Sequence, residues 1–361
     1  MARILPTNAT GAGMMPLCIQ VLIAQVSGTS RVMNPPGKGE EFRDDFRRTL
    51  PKETVQRLAN ISNGRAAWSV IQEILVLAGL TATALYWWTP LAVIPCVILI
   101  GTRQHALFVL AHDAAHYRLF GQRWLNDAIG RACASALGLS MCTYRVVHRL
   151  HHNNLYGPAD PDTALHGGYP RGRAYLVKKL LKDLAGLTAW KTYAYFFGAP
   201  AINTETNVAL RPLNDTSERL RSEARRDRRV VIGFHLGVLA SAAASGYLVE
   251  YLLLWILPLV TVVQAILRLR AVAEHGATTD LSSPLTAART NLGGPIVEWL
   301  LFPHQVNYHI EHHLYASVPH YNLAELHREM VKHGILEGAQ VMRFRTTLGK
   351  IFADRRTVAA A

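Results

Sequence analysis

A chain of 361 residues exceeds one average soluble domain, and half of it is hydrophobic. Its mean hydropathy is slightly positive, which excludes an ordinary soluble domain and assigns part of the apolar content to lipid. The formal net charge of +13 carries no zinc-finger spacing or RNA-binding aromatic signature with it, so lysines and arginines facing anionic headgroups explain the excess and no nucleic-acid partner is expected.

Residues 1–65 read as an N-terminal cytoplasmic arm. Its apolar stretch 14–26 follows only Arg3 and is not expected to be a cleaved signal, because cleavage would leave a basic arm outside. Translation starting at Met33 is an alternative, and nothing functional is assigned before residue 34. Stretches 66–88 and 91–110, separated by Thr89-Pro90, predict a helical hairpin of two membrane spans. The second span leads into His112-Asp-Ala-Ala-His116.

Residues 128–142 are apolar but short and contain Arg131, which predicts a half-buried or interfacial segment. His148-Arg-Leu-His151-His152 follows, and Asp160 and Asp162 come a turn later. The aromatic run Tyr193 to Phe197 reads as an interfacial belt or the lining of a substrate tunnel. The basic run 219–229 anchors a second hairpin, spans 230–247 and 248–267, with His275 just beyond it. His309-Ile-Glu-His312-His313 ends the membrane domain, 66–335, and 336–361 is read as a C-terminal tail.

The expected fold is therefore all-α and integral to the membrane, with four spans in two hairpins and a helical cap. Arg103 and Arg131 alone among the lysines and arginines fall inside the apolar stretches, and the hairpin tips carry no positive charge. Both termini and the cap are then cytoplasmic by the positive-inside rule. Four cysteines (Cys18, Cys96, Cys133, Cys142) form no CxxC pair and are expected to be reduced.

Histidines at i, i+3 or i, i+4 share a helix face. Eight such nitrogens exceed the usual four of a zinc site but suit two ions that keep open positions for an oxidant. Neutral imidazoles resist oxidation where thiolates would not. The remaining histidines, His105, His166, His235, His304, His320, His327 and His333, lack partner spacing and read as structural or solvated. Asp113, Asp160, Asp162, Glu274 and Glu311 are candidates to receive the second ring N–H of a ligating histidine. A metal transporter or receptor is the alternative class, disfavoured because the clustered histidines avoid the spans.

The ordered set HDAAH, HRLHH and HIEHH, with Tyr308 before the third box, resembles the membrane fatty-acid desaturase and hydroxylase superfamily over about 66–327. The resemblance implies a four-span stem, a cytoplasmic cap holding two Fe2+ ions, and O2 as co-substrate. It adds His275 as a ninth ligand to His112, His116, His148, His151, His152, His309, His312 and His313, and marks Asn307 as a position near the metal. Ala271 stands where acyl-CoA desaturases have a metal-associated asparagine, which leaves the carrier open among CoA, carrier protein, phospholipid and free acid. Desaturation of a fatty acyl chain is the primary reading. Alternatives are a specialised amino-acid-derived substrate, terminal-alkene-forming decarboxylation, and hydroxylation or ketolation. Without a flavin, dinucleotide or iron-sulfur motif, electrons are expected from an external ferredoxin or cytochrome. A bacterial inner membrane is the expected location.

Overall fold

The computed structural model describes residues 50–354 apart from 205, 215, 279 and 282. The expectations for 14–26, Met33 and Cys18 lie outside these residues. After a short α1 (Lys52–Leu58), the Ser62 hydroxyl caps α2 (Asn63–Tyr86) by accepting from the Arg65 N–H. Pro90 then starts α3 (Pro90–Ala115) at a position where a missing N–H costs nothing. Next come α4 (Arg123–Ala136), α5 (Met141–Asn153), α6 (Thr163–His166), α7 (Arg173–Leu184) and α8 (Ala189–Phe196). The antiparallel pair β1 (Ala201–Ile202) and β2 (Ala209–Leu210) leads to α9 (Glu218–Ala244). The long helix α10 (Leu248–His275) contains a π-helical turn at Leu252–Ile256. The remainder is α11 (Pro284–Ala287), β3 (Thr290–Leu292), α12 (Pro295–Leu301), α13 (His309–Leu314), α14 (Leu323–Lys332), β4 (Val341–Arg343) and α15 (Phe344–Ile351).

Among the described residues three helices, α2, α3 and α10, are long and apolar enough to cross a membrane. At 1.5 Å per residue the 26 residues of α3 and the 28 of α10 extend about 39 and 42 Å, roughly 10 Å more than the hydrocarbon core. The excess matters, because α3 ends on the first histidine box and α10 on His275. These helices outrun the boundaries 110 and 267 set by hydropathy, since a helix continues wherever its backbone bonds are made, whether lipid or protein surrounds it. The stretch 230–247 is not a separate helix: it is the apolar half of α9, whose first half is the basic run, and the helix stops at Ala244.

Two further departures concern the short elements. The segment 128–142 is broken at Leu137–Ser140, where Gly138 takes φ +75°, so it divides between α4 and α5. The chain is mostly helical but not wholly so, because two small sheets form. In the second, β3 pairs in parallel with β4, Thr290 opposite Val341, which docks the segment after residue 335 beside the third box.

Close approach fixes how the helices meet. A Cβ at Gly101 would stand 2.6 Å from the Val262 side chain, and one at Gly130 would stand 2.4 Å from Ala114 Cβ. Only glycine lets α3 lie this near α10 and α4. The main core, around Ile100, Leu110, Ala111, Leu119 and Met141, sits directly beneath the histidines. A second core of Leu58, Ile310, Leu314 and Leu326 ties α13 to α1 and α14. Cys96, Cys133 and Cys142 are buried free thiols.

Candidate metal centre

The nine singled-out histidines converge in two groups. His112, His116, His148, His152 and His312 place one ring nitrogen each within 4.8 Å of one another, and His151, His275, His309 and His313 do the same. Helical spacing explains the sorting. The i, i+4 pairs His112/His116 and His148/His152 serve the first group, and the pair His309/His313 serves the second. The remaining residue of each triplet crosses over: His151 leaves the second box for the second group, and His312 leaves the third box for the first.

Within the first group, Nε2 atoms follow one another at 2.8 Å (His116 to His148), 3.0 Å (His148 to His152) and 3.0 Å (His152 to His312). In the second, His309 Nε2 lies 2.7 Å from His275 Nε2 and 3.1 Å from His313 Nε2. A ring nitrogen carries either one lone pair or one N–H. His148, His152 and His309 each face two such neighbours, so these contacts cannot all be hydrogen bonds. They are the spacing of donors that share a cation at about 2 Å.

The tautomers agree with this. His151 Nδ1 donates to Asp160 Oδ1 at 3.0 Å and His275 Nδ1 to the Ala287 carbonyl at 3.2 Å, which turns both Nε2 atoms toward the group. Burial, reinforced by neighbouring rings, holds His148, His152, His309, His312 and His313 well below the usual histidine range, and His116 at about 3. All six are neutral at pH 7, the state in which an imidazole ligates. Burial opposes protonation of His151 too, but Asp160 and Asp162 outweigh it and raise that ring to about 9, so a metal at its Nε2 would displace a proton. The donor set therefore fits two metal ions with nitrogen ligands.

The surrounding carboxylates divide by geometry. Asp160, fully buried, also accepts from the Tyr156 and Asp162 amides. Asp162 lies 3.8 Å from His151 Nδ1 and accepts from the Tyr195 hydroxyl, so the aromatic run touches the site through Tyr195. Asp113 is 3.8 Å from His112 Nδ1 and receives both the backbone N–H and the Nδ1–H of His320. Glu274 pairs with Arg270, and its other oxygen lies 3.9 Å from His309 Nε2. Glu311 faces away from the rings, bonding Thr290 and the Nδ1–H of His327 at 2.5 Å each, and so clamps α13 between β3 and α14. Asn307 is buried with its side-chain nitrogen unpartnered.

Several contributors were not legible in local spacing. His320 and His327, read as bystanders, orient Asp113 and Glu311 from α14 and the turn before it. His166 is buried with both ring nitrogens unpartnered, its ring 4.8 Å from that of His275. Within two of the long apolar helices, Arg103 on α3 pairs with Glu73 on α2 at 3.4 Å, and His304 Nε2 lies 3.1 Å from the same carboxylate. A charged residue inside an apolar span was the available signal for that pair.

Comparison with known proteins gives one family. The model described as fatty acid desaturase matches residues 87–346. Dihydrorhizobitoxine desaturase of Bradyrhizobium elkanii is 29% identical over 265 residues, 71% of this chain and 72% of that protein. The sn-1 oleoyl-lipid 12-desaturase of Anabaena variabilis is 22% identical over 334 residues, 86% and 87% of the two chains. An sn-1 acyl-lipid omega-3 desaturase (ferredoxin) of Nostoc sp. (strain 36) is 31% identical over 110 residues, 30% of each.

Proposed function

The chain belongs to the fatty acid desaturase family and is a desaturating oxidoreductase, and from that premise we propose that it is a membrane-bound di-iron enzyme acting on the acyl chain of a lipid. The observation that carries the metal assignment is the pair of interleaved nitrogen groups, five histidines in one and four in the other, all from the boxes and His275. Two Fe2+ ions held there would supply O2 activation, so that O2, two electrons and two protons remove two hydrogens from adjacent methylenes and leave an alkene and two waters.

The protein's own part is positional. Asp160 and the Ala287 carbonyl hold two rings by Nδ1, Asp113 and His320 brace the end of α3, and the Arg270–Glu274 pair borders His309. The buried core beneath the rings keeps water from the reacting carbons. Electrons arrive from an external donor of ferredoxin or cytochrome type, the former supported by the name of the Nostoc relative.

The proposed topology has α2, α3, the apolar half of α9, and α10 as four crossings in two hairpins. Both termini and the cap are cytoplasmic, in a bacterial inner membrane, with an arm (1–65), a membrane domain (66–335) and a tail (336–361) anchored by β4. The similarity to dihydrorhizobitoxine desaturase favours a second reading, a small amino-acid-derived substrate. Purified protein supplied with a reductant should consume O2 and contain two irons per chain. Zinc without iron, and no O2 uptake, would sink the assignment.

A further inference from the structure

A large cavity lies away from the histidines. It measures about 920 Å³ and opens between α4, α5 and α9, with the segment after β2 closing one side. Seven arginines and three carboxylates line it. The carboxylates are already engaged: Asp127 with Arg123 and Arg145, Asp227 with Arg131, and Glu223 with Arg219. Arg149, Arg211 and Arg226 are exposed to the cavity and have no carboxylate partner among the described residues. They come from three separate elements and converge on one concavity, which a solvated helix face would not produce.

The cavity also crosses a polarity boundary. Arg219 and Arg226 lie on the basic half of α9, whereas Val230 and Val231, at the start of its apolar half, line the same cavity together with Leu139. Charge at one end and aliphatic wall at the other match an amphiphile standing at the membrane surface. A volume of this size suits a small ligand, whereas a protein partner needs a broad face of about 800 Å². Unpaired guanidiniums bind phosphate oxygens through forked N–H donors. We propose that this cavity binds the phosphate of an anionic phospholipid headgroup. The inference is independent of the desaturase reading, because it requires neither metal nor turnover.

The test uses the full-length, iron-loaded protein in nanodiscs of phosphatidylcholine with a minor share of phosphatidylglycerol, and counts retained lipids by native mass spectrometry. At roughly a factor of five per arginine near an anionic headgroup, the triple variant Arg149→Gln/Arg211→Gln/Arg226→Gln should retain about a hundredfold less phosphatidylglycerol, with phosphatidylcholine and iron content unchanged. The corresponding triple lysine variant should keep most of the binding, which separates loss of charge from loss of fold. Equal retention by wild type and the glutamine variant would overturn the proposal. So would displacement by soluble glycerol 3-phosphate at the lipid's own concentration, since the ligand would then be a free phosphate. Unchanged lipid retention with lost reduction by an acidic electron carrier would also overturn it and make the cavity a protein-docking site.

Discussion

Asp160→Asn isolates one of the two histidine groups. The carboxylate accepts three bonds: Oδ1 from His151 Nδ1 at 3.0 Å and the Asp162 amide at 2.9 Å, and Oδ2 from the Tyr156 amide at 2.9 Å. An asparagine has a single oxygen. Facing it toward His151 preserves two bonds and sets its NH2 against the Tyr156 N–H, leaving a buried donor unpaired at about 1–3 kcal/mol. Facing it the other way removes the acceptor that holds the His151 Nδ1–H, and the lone pair at Nε2 is no longer fixed toward the group. The charge is lost in both cases. Outer carboxylates of this kind typically account for 10- to 100-fold in metal affinity. Chelator titration of iron-loaded protein should therefore become biphasic, with one iron per chain released at 10- to 100-fold lower chelator and the other at the wild-type concentration. Coincident release of both at the wild-type midpoint would refute the assignment of His151 to the second group and of Asp160 as its support.

His320→Ala, which strips Asp113 of its buried partner, should weaken the first group by about tenfold in the same titration, whereas His333→Ala, near the surface, should leave both phases in place. Glu73→Ala leaves Arg103 buried and unpaired and should destabilise the folded protein by about 3–5 kcal/mol, read as a lower melting temperature in detergent; Glu73→Ala/Arg103→Met should recover part of that loss. Gly101→Ala forces a Cβ to within 2.6 Å of Val262 and should cost about 1–3 kcal/mol, while Gly64→Ala, with open space around it, should be tolerated; equal melting temperatures would contradict the α3–α10 packing. Removing iron by chelation should lower the melting temperature of the wild type, because the nine rings would then lose the bonds to a shared cation that hold them together.

What could be read from the sequence was what depends on local spacing. The i, i+4 pairs announced convergence, because one helix turn is enough to place two rings on one face. Their distribution between two groups was not legible, since whether His151 or His152 faces a given ion depends on the orientation of α5 against α13. His320 and Asp113 meet across more than two hundred residues, and Glu311 beside His312 looked well placed for a ligand ring yet turns to Thr290 and His327. The end of α3 was underestimated because hydropathy reports where lipid ends, not where a helix does. The β3–β4 pair escaped notice because strands of three residues leave no period to detect.

The most direct test is lipid and metabolite profiling of cells expressing the chain, set against cells expressing His152→Ala. Desaturation predicts a product two hydrogens lighter than its precursor, made by the wild type alone and only when O2 is present. A product heavier by one oxygen, or identical profiles from the two strains, would contradict it.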